Sequence, residues 1–270
     1  MPRPFHIYIL TSILGVVFGC GGAQHKRSYE PPALTTLINN LATKAEQVSS
    51  INTSSLMSYW QNGQRLKPTI LVMAQKGSFI RVNALGITDD VEADLACNGT
   101  SFSYQDFRNN CSLRGICNKK AVSSLLKMNL SPDEFLLMAV GLTPLIDYNQ
   151  SSLKWDGEHQ HEIIKLNNSN SKISQTIVLD GKSTHWDVLS SKIFDGEGTL
   201  EWSIENKDFK DTVDENGVPT RAPDKTRFIQ PSTDLKIEIR WQDRKINPTV
   251  AKDVFEMTPA PGIPSCQEAS

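Results

Sequence analysis

The sequence predicts an α+β, mostly β protein built on one large antiparallel sheet, curled so that one face is buried. Three observations predict it. Apolar and polar residues alternate through many short segments. Tight-turn residues separate those segments at Asn62-Gly63, Lys76-Gly77, Asn98-Gly99 and Asn109-Asn110. Helical periodicity is confined to three stretches. The result is about 11–12 strands against the ~4–6 of a usual sheet, and so wide an antiparallel sheet must curl. Three helices are few to fill its concavity, and an unfilled apolar concavity is a ligand site.

The chain opens with an apolar run, Phe5 to Phe18, preceded by one basic residue, Arg3, and closed by Val17-Phe18-Gly19-Cys20. Small residues before a cleavage point mark a secretory leader over 1–19. Aliphatic-x-Gly-Cys at its end is the pattern of a bacterial lipobox, with Cys20 as the acylated first residue of the mature chain. Two or three acyl chains anchor stably where one does not. The run is too short and too interrupted for a membrane span. Arg3 is the one charged residue lost with the leader, taking the formal net charge from −2 to −3, with no basic surplus for nucleic acid. Residues 20–32, polar and ending in Pro31-Pro32, read as a flexible tether. Residues 33–270 then form a single domain.

Cys20 aside, Cys97, Cys111, Cys117 and Cys266 remain, an even number in an exported chain. Two disulfides follow, in one of three connectivities. The short spacing favours Cys111 with Cys117, leaving Cys97 for Cys266. No C-x-x-C pair supports zinc.

Leu34, Leu37, Ile38, Leu41, Ala42, Ala45 and Val48 form one helical stripe. Strands follow near 56–60, 69–75, 79–84, 91–97 and 101–105. Thr69–Ala74 and Phe79–Ala84 are apolar on both parities and so are covered on both faces. A helix over 119–128 precedes a second, capped by Ser131 with Pro132 at its first position and Asp133 and Glu134 in its first turn, which stops at Gly141. Its Phe135–Val140 run leaves little polar face. Strands return near 153–156, 162–166, 173–179, 185–194, 199–205, 226–230 and 235–241. Leu200, Trp202 and Ile204 share one face, as do Leu235, Ile237, Ile239 and Trp241. Asp208–Asp224, polar and rich in turn residues, reads as an exposed loop. The proline-rich tail over 259–264 is irregular.

Taken in order, these features resemble the LolA/LolB lipoprotein-carrier superfamily, its outer-membrane-anchored LolB-like branch in particular. The lipobox, tether and first helix lead to Arg81-Val82-Asn83-Ala84-Leu85-Gly86. The Asn98-Gly99 turn, the Ser-Pro-Asp-Glu helix ending at Leu137–Gly141, Asn247-Pro248, Phe255 and Pro261-Gly262 complete the match over most of 33–264. The resemblance implies an open, incomplete antiparallel β-barrel with a few short helices packed in or over its concave face. It further implies acyl chains or lipoproteins as non-covalently held cargo, a periplasmic carrier protein as partner, and attachment to the outer membrane through acylated Cys20. Leu85 matches an exposed leucine, in the loop between the third and fourth strands, that helps insertion into the membrane. The Asp208–Asp224 insertion and the four cysteines depart from the familiar receptors.

The residues expected to line the cavity are Val72, Val82, Trp186, Trp202, Ile237 and Ile239, with Phe135, Leu136 and Val140 on the helix that covers it. No nucleophile elbow or phosphate loop is present, and Lys165 stands where a zinc-protease motif starting at His161-Glu162 needs its second histidine. His159 and His161 are the one candidate imidazole pair, and no metal or other cofactor is expected. The chain therefore reads as a binding protein and not an enzyme. A second reading is an anchored scaffold or sensor, its barrel filled by Trp60, Trp155, Trp186, Trp202 and Trp241 and its surface bound to a protein.

Overall fold

The computed structural model describes residues 25–61, 63–182 and 185–266; the leader and Cys20 lie outside them. The three helices are α1 (Leu34–Gln47), α2 (Lys119–Leu126) and α3 (Pro132–Ala139). The first run of strands is β1 (Ser50–Gln61), β2 (Gln64–Leu66), β3 (Thr69–Gln75), β4 (Phe79–Leu85), β5 (Val91–Asn98), β6 (Ser101–Asp106) and β7 (Cys111–Ile116). The second is β8 (Gln150–Asp156), β9 (His161–Asn167), β10 (Ser174–Asp180), β11 (Asp187–Phe194), β12 (Leu200–Val213), β13 (Pro219–Gln230) and β14 (Leu235–Ile246).

All fourteen strands belong to one antiparallel sheet, ordered β7-β6-β5-β4-β3-β1-β14-β13-β12-β11-β10-β9-β8, with β2 paired to β1 off this path. Pairing of β1 with β14 joins the two meanders, and β7 and β8 are unjoined edges. The open barrel is therefore as expected, with two or three more strands. This order also places the helices. A flat sheet of this path would be roughly 60 Å across at ~4.8 Å per strand. The chain leaving β7 at one edge must re-enter at β8 on the other. It crosses inside the curled sheet, and α2, α3 and the loop from Leu142 to Asn149 make that crossing.

Cross-strand register puts the alternating apolar residues on one inner face. Val72 lies opposite Val82, and Val82 opposite Leu95. Ile239 lies opposite Met57 and Thr226, and Ile237 opposite Phe228, itself opposite Ile204. Two buried clusters result. The larger lies under α2 and α3, the smaller under α1 against β9, β10 and β11, and half-buried Ile146 touches both. The Ser131 box forms as the sequence requires, with Glu134 N–H donating to Ser131 Oγ (3.2 Å) and Ser131 N–H to the Glu134 carboxylate (2.6 Å).

Four expectations need correction. Asp208–Asp224 is not a loop but most of a long hairpin, β12 and β13 pairing from Ser203–Ile229 to Val213–Pro219. Its polar residues hold each other across the strands, Lys225 with Asp208 (2.6 Å), Arg221 with Asp211 (2.7 Å) and Lys210 with Asp224. Such a strand needs no apolar face, so it shows no alternation. Second, Cys111–Ile116 is itself a strand, β7, at the sheet edge. Third, the disulfides are Cys97–Cys117 and Cys111–Cys266, with Cα separations of 5.9 and 4.8 Å. Extended β7 separates Cys111 from Cys117 by about 20 Å, far beyond a bridge. Fourth, the later half of the predicted tether is docked against β8 and β9.

The C-terminal segment crosses the outer face. Arg81 bridges Asp94 (2.8 Å) and the Val254 carbonyl (2.8 Å), and Phe255 is buried beside Phe79, ring centroids 5.4 Å apart. Cys266 then ties the segment's end to β7.

Candidate functional site

The inner face from β3 round to β10 is mainly apolar, interrupted by buried Ser55, Thr226, Asn206, Ser191 and Gln175, and its covers are short and separately held. Asp133 at the start of α3 accepts from the N–H groups of Gly77 (3.1 Å) and Ser78 (3.3 Å) in the β3–β4 turn. At its other end Arg244 donates to the carbonyls of Ala139 (3.0 Å) and Pro223 (2.8 Å). A cation there satisfies helix carbonyls and complements the dipole. Burial lowers the Arg244 pKa to about 10, and Asp224 opposes that shift. Gly141 ends the helix with φ +81°, and a Cβ there would stand 2.3 Å from Pro223 Cδ. No other residue fits that approach of hairpin and helix.

α1 is held at its C-terminal end. Lys76 Nζ donates to the carbonyls of Ala45 and Glu46 (both 2.8 Å), Asn247 Nδ2 to that of Gln47 (3.0 Å), and Lys44 Nζ to that of His185. The loop after α3 is held by Gln175. Its amide donates to the Pro144 carbonyl (2.8 Å) and Ser191 Oγ (3.0 Å), and its Oε1 accepts from Ile146 N–H (3.1 Å). Gln175 is fully buried in the inner face, and these partners satisfy it.

A seam is left between α1 and α3. On one side of it is an open cleft of 390 Å³ walled by Ala45, Glu46, Leu136 and Leu137. On the other is an inner cavity of 130 Å³, bounded by Val48, Val140, Leu142, Trp186, Phe209 and Ile246. Its polar rim is Lys44, Asp187, Arg221 and Asn247, with Arg221 paired to Asp187 (3.0 Å). Burial lowers the pKa of Lys44; Asp187 raises it and Arg221 lowers it further. Drug-sized ligand pockets run to ~300–1,000 Å³, so the inner cavity as it stands is too small for a long acyl chain. The expected concavity is present, but the protein's own helices and the 142–149 loop fill it.

The structure brings most of the predicted residues together. Val72, Val82, Trp202, Ile237 and Ile239 are buried on the inner face, and Phe135 and Leu136 press onto it from α3. Trp202 stacks on Phe228 at 6.0 Å, and Phe135 meets Trp241 edge-on at 6.3 Å. Val140 and Trp186 line the inner cavity, although Trp186 belongs to the smaller cluster. Leu85 does not join them. It ends β4, half-buried, paired with Thr69 and Val91 on the outer face, and the fully exposed residue of that hairpin is Ile87, 104% accessible. Of the tryptophans proposed as filling, Trp60 lies outside, between Arg65 and Lys236. Sequence reasoning missed Arg244, Gln175 and Lys44, whose partners are carbonyls from distant segments. A polar residue at an inward parity, as at Gln175, was the one available signal.

His159 and His161 stack at 6.1 Å, with His159 on Asp156 (2.9 Å). Among the described residues no group of three His, Cys, Asp or Glu side chains gathers to hold a metal ion. No described helix is long and apolar enough to cross a membrane.

No protein-family model matches the sequence, and no curated protein does. Solved structures do match the fold. A DUF1329 family protein from Desulfovibrio piger superposes with a TM-score of 0.55 at 11% identity, covering 83% of this chain and 97% of that one. A LolA superfamily protein from Nitrosomonas europaea superposes with a TM-score of 0.55 at 7% identity, over 84% of this chain and 99% of that one. The fold is that of the LolA superfamily, as the order of sequence features implied.

Proposed function

We propose that this chain is a bacterial envelope lipoprotein, anchored in the outer membrane through acylated Cys20, that binds acyl chains reversibly by parting the α1–α3 seam. The observation that carries this reading is the seam itself. A largely apolar face of the sheet lies beneath covers pinned at their ends, and clefts open on both sides of the gap between them. The LolA superfamily fold adds to it, since a carrier of lipoproteins needs such a face. A buried methylene contributes about 0.8 kcal/mol, so a long chain under the covers would offset the cost of moving them. Cargo would then pass to a membrane, or arrive from a periplasmic carrier, by differences in affinity with no covalent step. On this reading Leu85 and Ile87 form the hairpin tip that meets the bilayer during insertion.

The test is native mass spectrometry of the Cys20→Ala protein, exported behind a cleavable leader, followed by uptake of a fluorescent fatty acid. Bound lipid or acylated peptide, reduced by Leu137→Glu or Leu142→Glu in folded protein, is the expected result. An empty mass with no uptake would reject the carrier reading. The small inner cavity favours a second reading in that event, a filled barrel that serves as a scaffold for a protein partner.

A further inference from the structure

Residues 25–30 have no regular structure, yet they occupy a built site at the β8–β9 end of the inner face. Glu162, with no exposed side-chain surface, accepts from Arg27 Nε (2.6 Å), Arg27 Nη2 (3.1 Å) and Tyr29 Oη (3.1 Å). A two-pronged guanidinium–carboxylate pair is among the stronger and more directional polar contacts. The Arg27 guanidinium also lies 5.0 Å over the Trp155 ring. Tyr29 enters edge-on between Trp155 (6.0 Å) and Trp186 (5.4 Å). It needs Gly181 to do so, because a Cβ there would stand 2.2 Å from Tyr29 Oη. Two backbone-directed bonds complete the strap, His25 N–H to the Gly157 carbonyl (2.9 Å) and Trp155 Nε1 to the His25 carbonyl (3.0 Å). Trp186 is held at φ +52°, a conformation that a bulky residue adopts only where its surroundings demand it.

Among the described residues, the side-chain donors to Glu162 all come from this strap. With the strap withdrawn, the site is an anionic pocket between two indoles, open at a glycine, and it suits one chemistry: a peptide carrying arginine and, two residues on, tyrosine. The geometry points to a peptide-binding site for an Arg-x-Tyr segment, occupied here by the chain's own Arg27-Ser28-Tyr29 and able to release it. Pro31-Pro32 lie between the strap and α1 and break regular structure there, so the strap is no extension of that helix. The site stands whether or not the inner face takes up acyl chains. Under the anchored reading above it has a further consequence. Docked, it leaves four residues between Cys20 and His25, five steps of chain that reach at most about 18 Å; released, the thirteen residues of 20–32 span up to about 45 Å. The strap therefore sets how far the body stands from its membrane.

The test uses the Cys20→Ala chain exported behind a cleavable leader. Trypsin is expected to spare Lys26 and Arg27 in this protein and to cut there at least tenfold faster in Tyr29→Ala or Gly181→Ala. Both variants are expected to melt within a few degrees of the parent. A labelled peptide copying residues 24–31 should bind the Arg27→Ala/Tyr29→Ala chain and not the parent, and adding Glu162→Gln should weaken that binding at least tenfold. Three results would each overturn the proposal: equal trypsin sensitivity in all variants, a freed strap without peptide binding, or Tyr29→Ala unfolding the body, which would make the strap part of the core. Acyl-probe uptake by the same variants separates this outcome from failure of the carrier reading.

Discussion

Gly141→Ala tests how the covering helix is joined to the sheet. Gly141 has φ +81°, and an added Cβ would meet Pro223 Cδ at 2.3 Å, Pro223 Cγ at 3.0 Å and Phe209 Cε1 at 3.2 Å. Left-handed backbone costs an L-residue about 1–2 kcal/mol. Overpacking against a proline ring on a paired strand adds about 1–3 kcal/mol. Together these give roughly 2–5 kcal/mol, a fall in Tm on the order of 10 °C for a domain of this size. Gly217 supplies the control, since it has φ +82° with nothing within 4 Å of its Cβ position. Gly217→Ala therefore meets only the backbone cost, a fall of about 3–5 °C. The assay is thermal unfolding by circular dichroism on oxidised protein, both variants beside the parent. Equal falls for the two would refute the claim that the hairpin closes against the end of α3. A fall confined to Gly141→Ala should come with stronger binding of a hydrophobic dye, because α3 loosens over the inner face.

Three further outcomes are expected. Arg244→Met leaves the Ala139 and Pro223 carbonyls without their donor and should cost about 2–4 kcal/mol in urea unfolding; a loss under 1 kcal/mol, within the ~0.5–1.5 kcal/mol of one ordinary hydrogen bond, would remove Arg244 as the pin. Peptide mapping without reductant, after cleavage at Arg114 to part Cys111 from Cys117, should show Cys97 joined to Cys117 and Cys111 to Cys266; any Cys111–Cys117 peptide would reverse the assignment. Asp214, in the turn that closes the β12–β13 hairpin, is held below the usual carboxylate range, first by Val218 N–H and then by the Asn247 amide. Its folded pKa is depressed, so its contribution is complete above about pH 4 and drains as acid passes the folded value; Asp214→Asn should flatten the acid limb of the stability curve, and an unchanged limb would contradict this.

Where burial is one-sided, the sequence was readable. Trp202 and Ile204, and Leu235, Ile237, Ile239 and Trp241, alternate because one face of each strand meets the core, and all six are buried; Leu200, beyond a register shift against β11, is only half-buried. The α3 boundaries were legible because a capping box and a left-handed glycine are local chemistry. The β12–β13 hairpin was not, because cross-strand ion pairs such as Arg221–Asp211 stabilise it in place of an apolar face. The disulfide partners depended on which strands become neighbours, information that the spacing of Cys111 and Cys117 does not contain.

The candidate site divides along the same line. Hydrophobic pattern alone determined a wide curled sheet, an apolar inner face and a buried helix to cover it, since burial of apolar surface acts residue by residue. Only the tertiary structure decided that the concavity is filled. The chain must cross from β7 to β8 inside the sheet, and the crossing segment takes up the space. It likewise decided that Arg27 and Tyr29, polar residues in a segment resembling a linker, meet Glu162 across more than 130 positions. Such contacts are set by how distant segments converge, and convergence is a property of the folded chain as a whole.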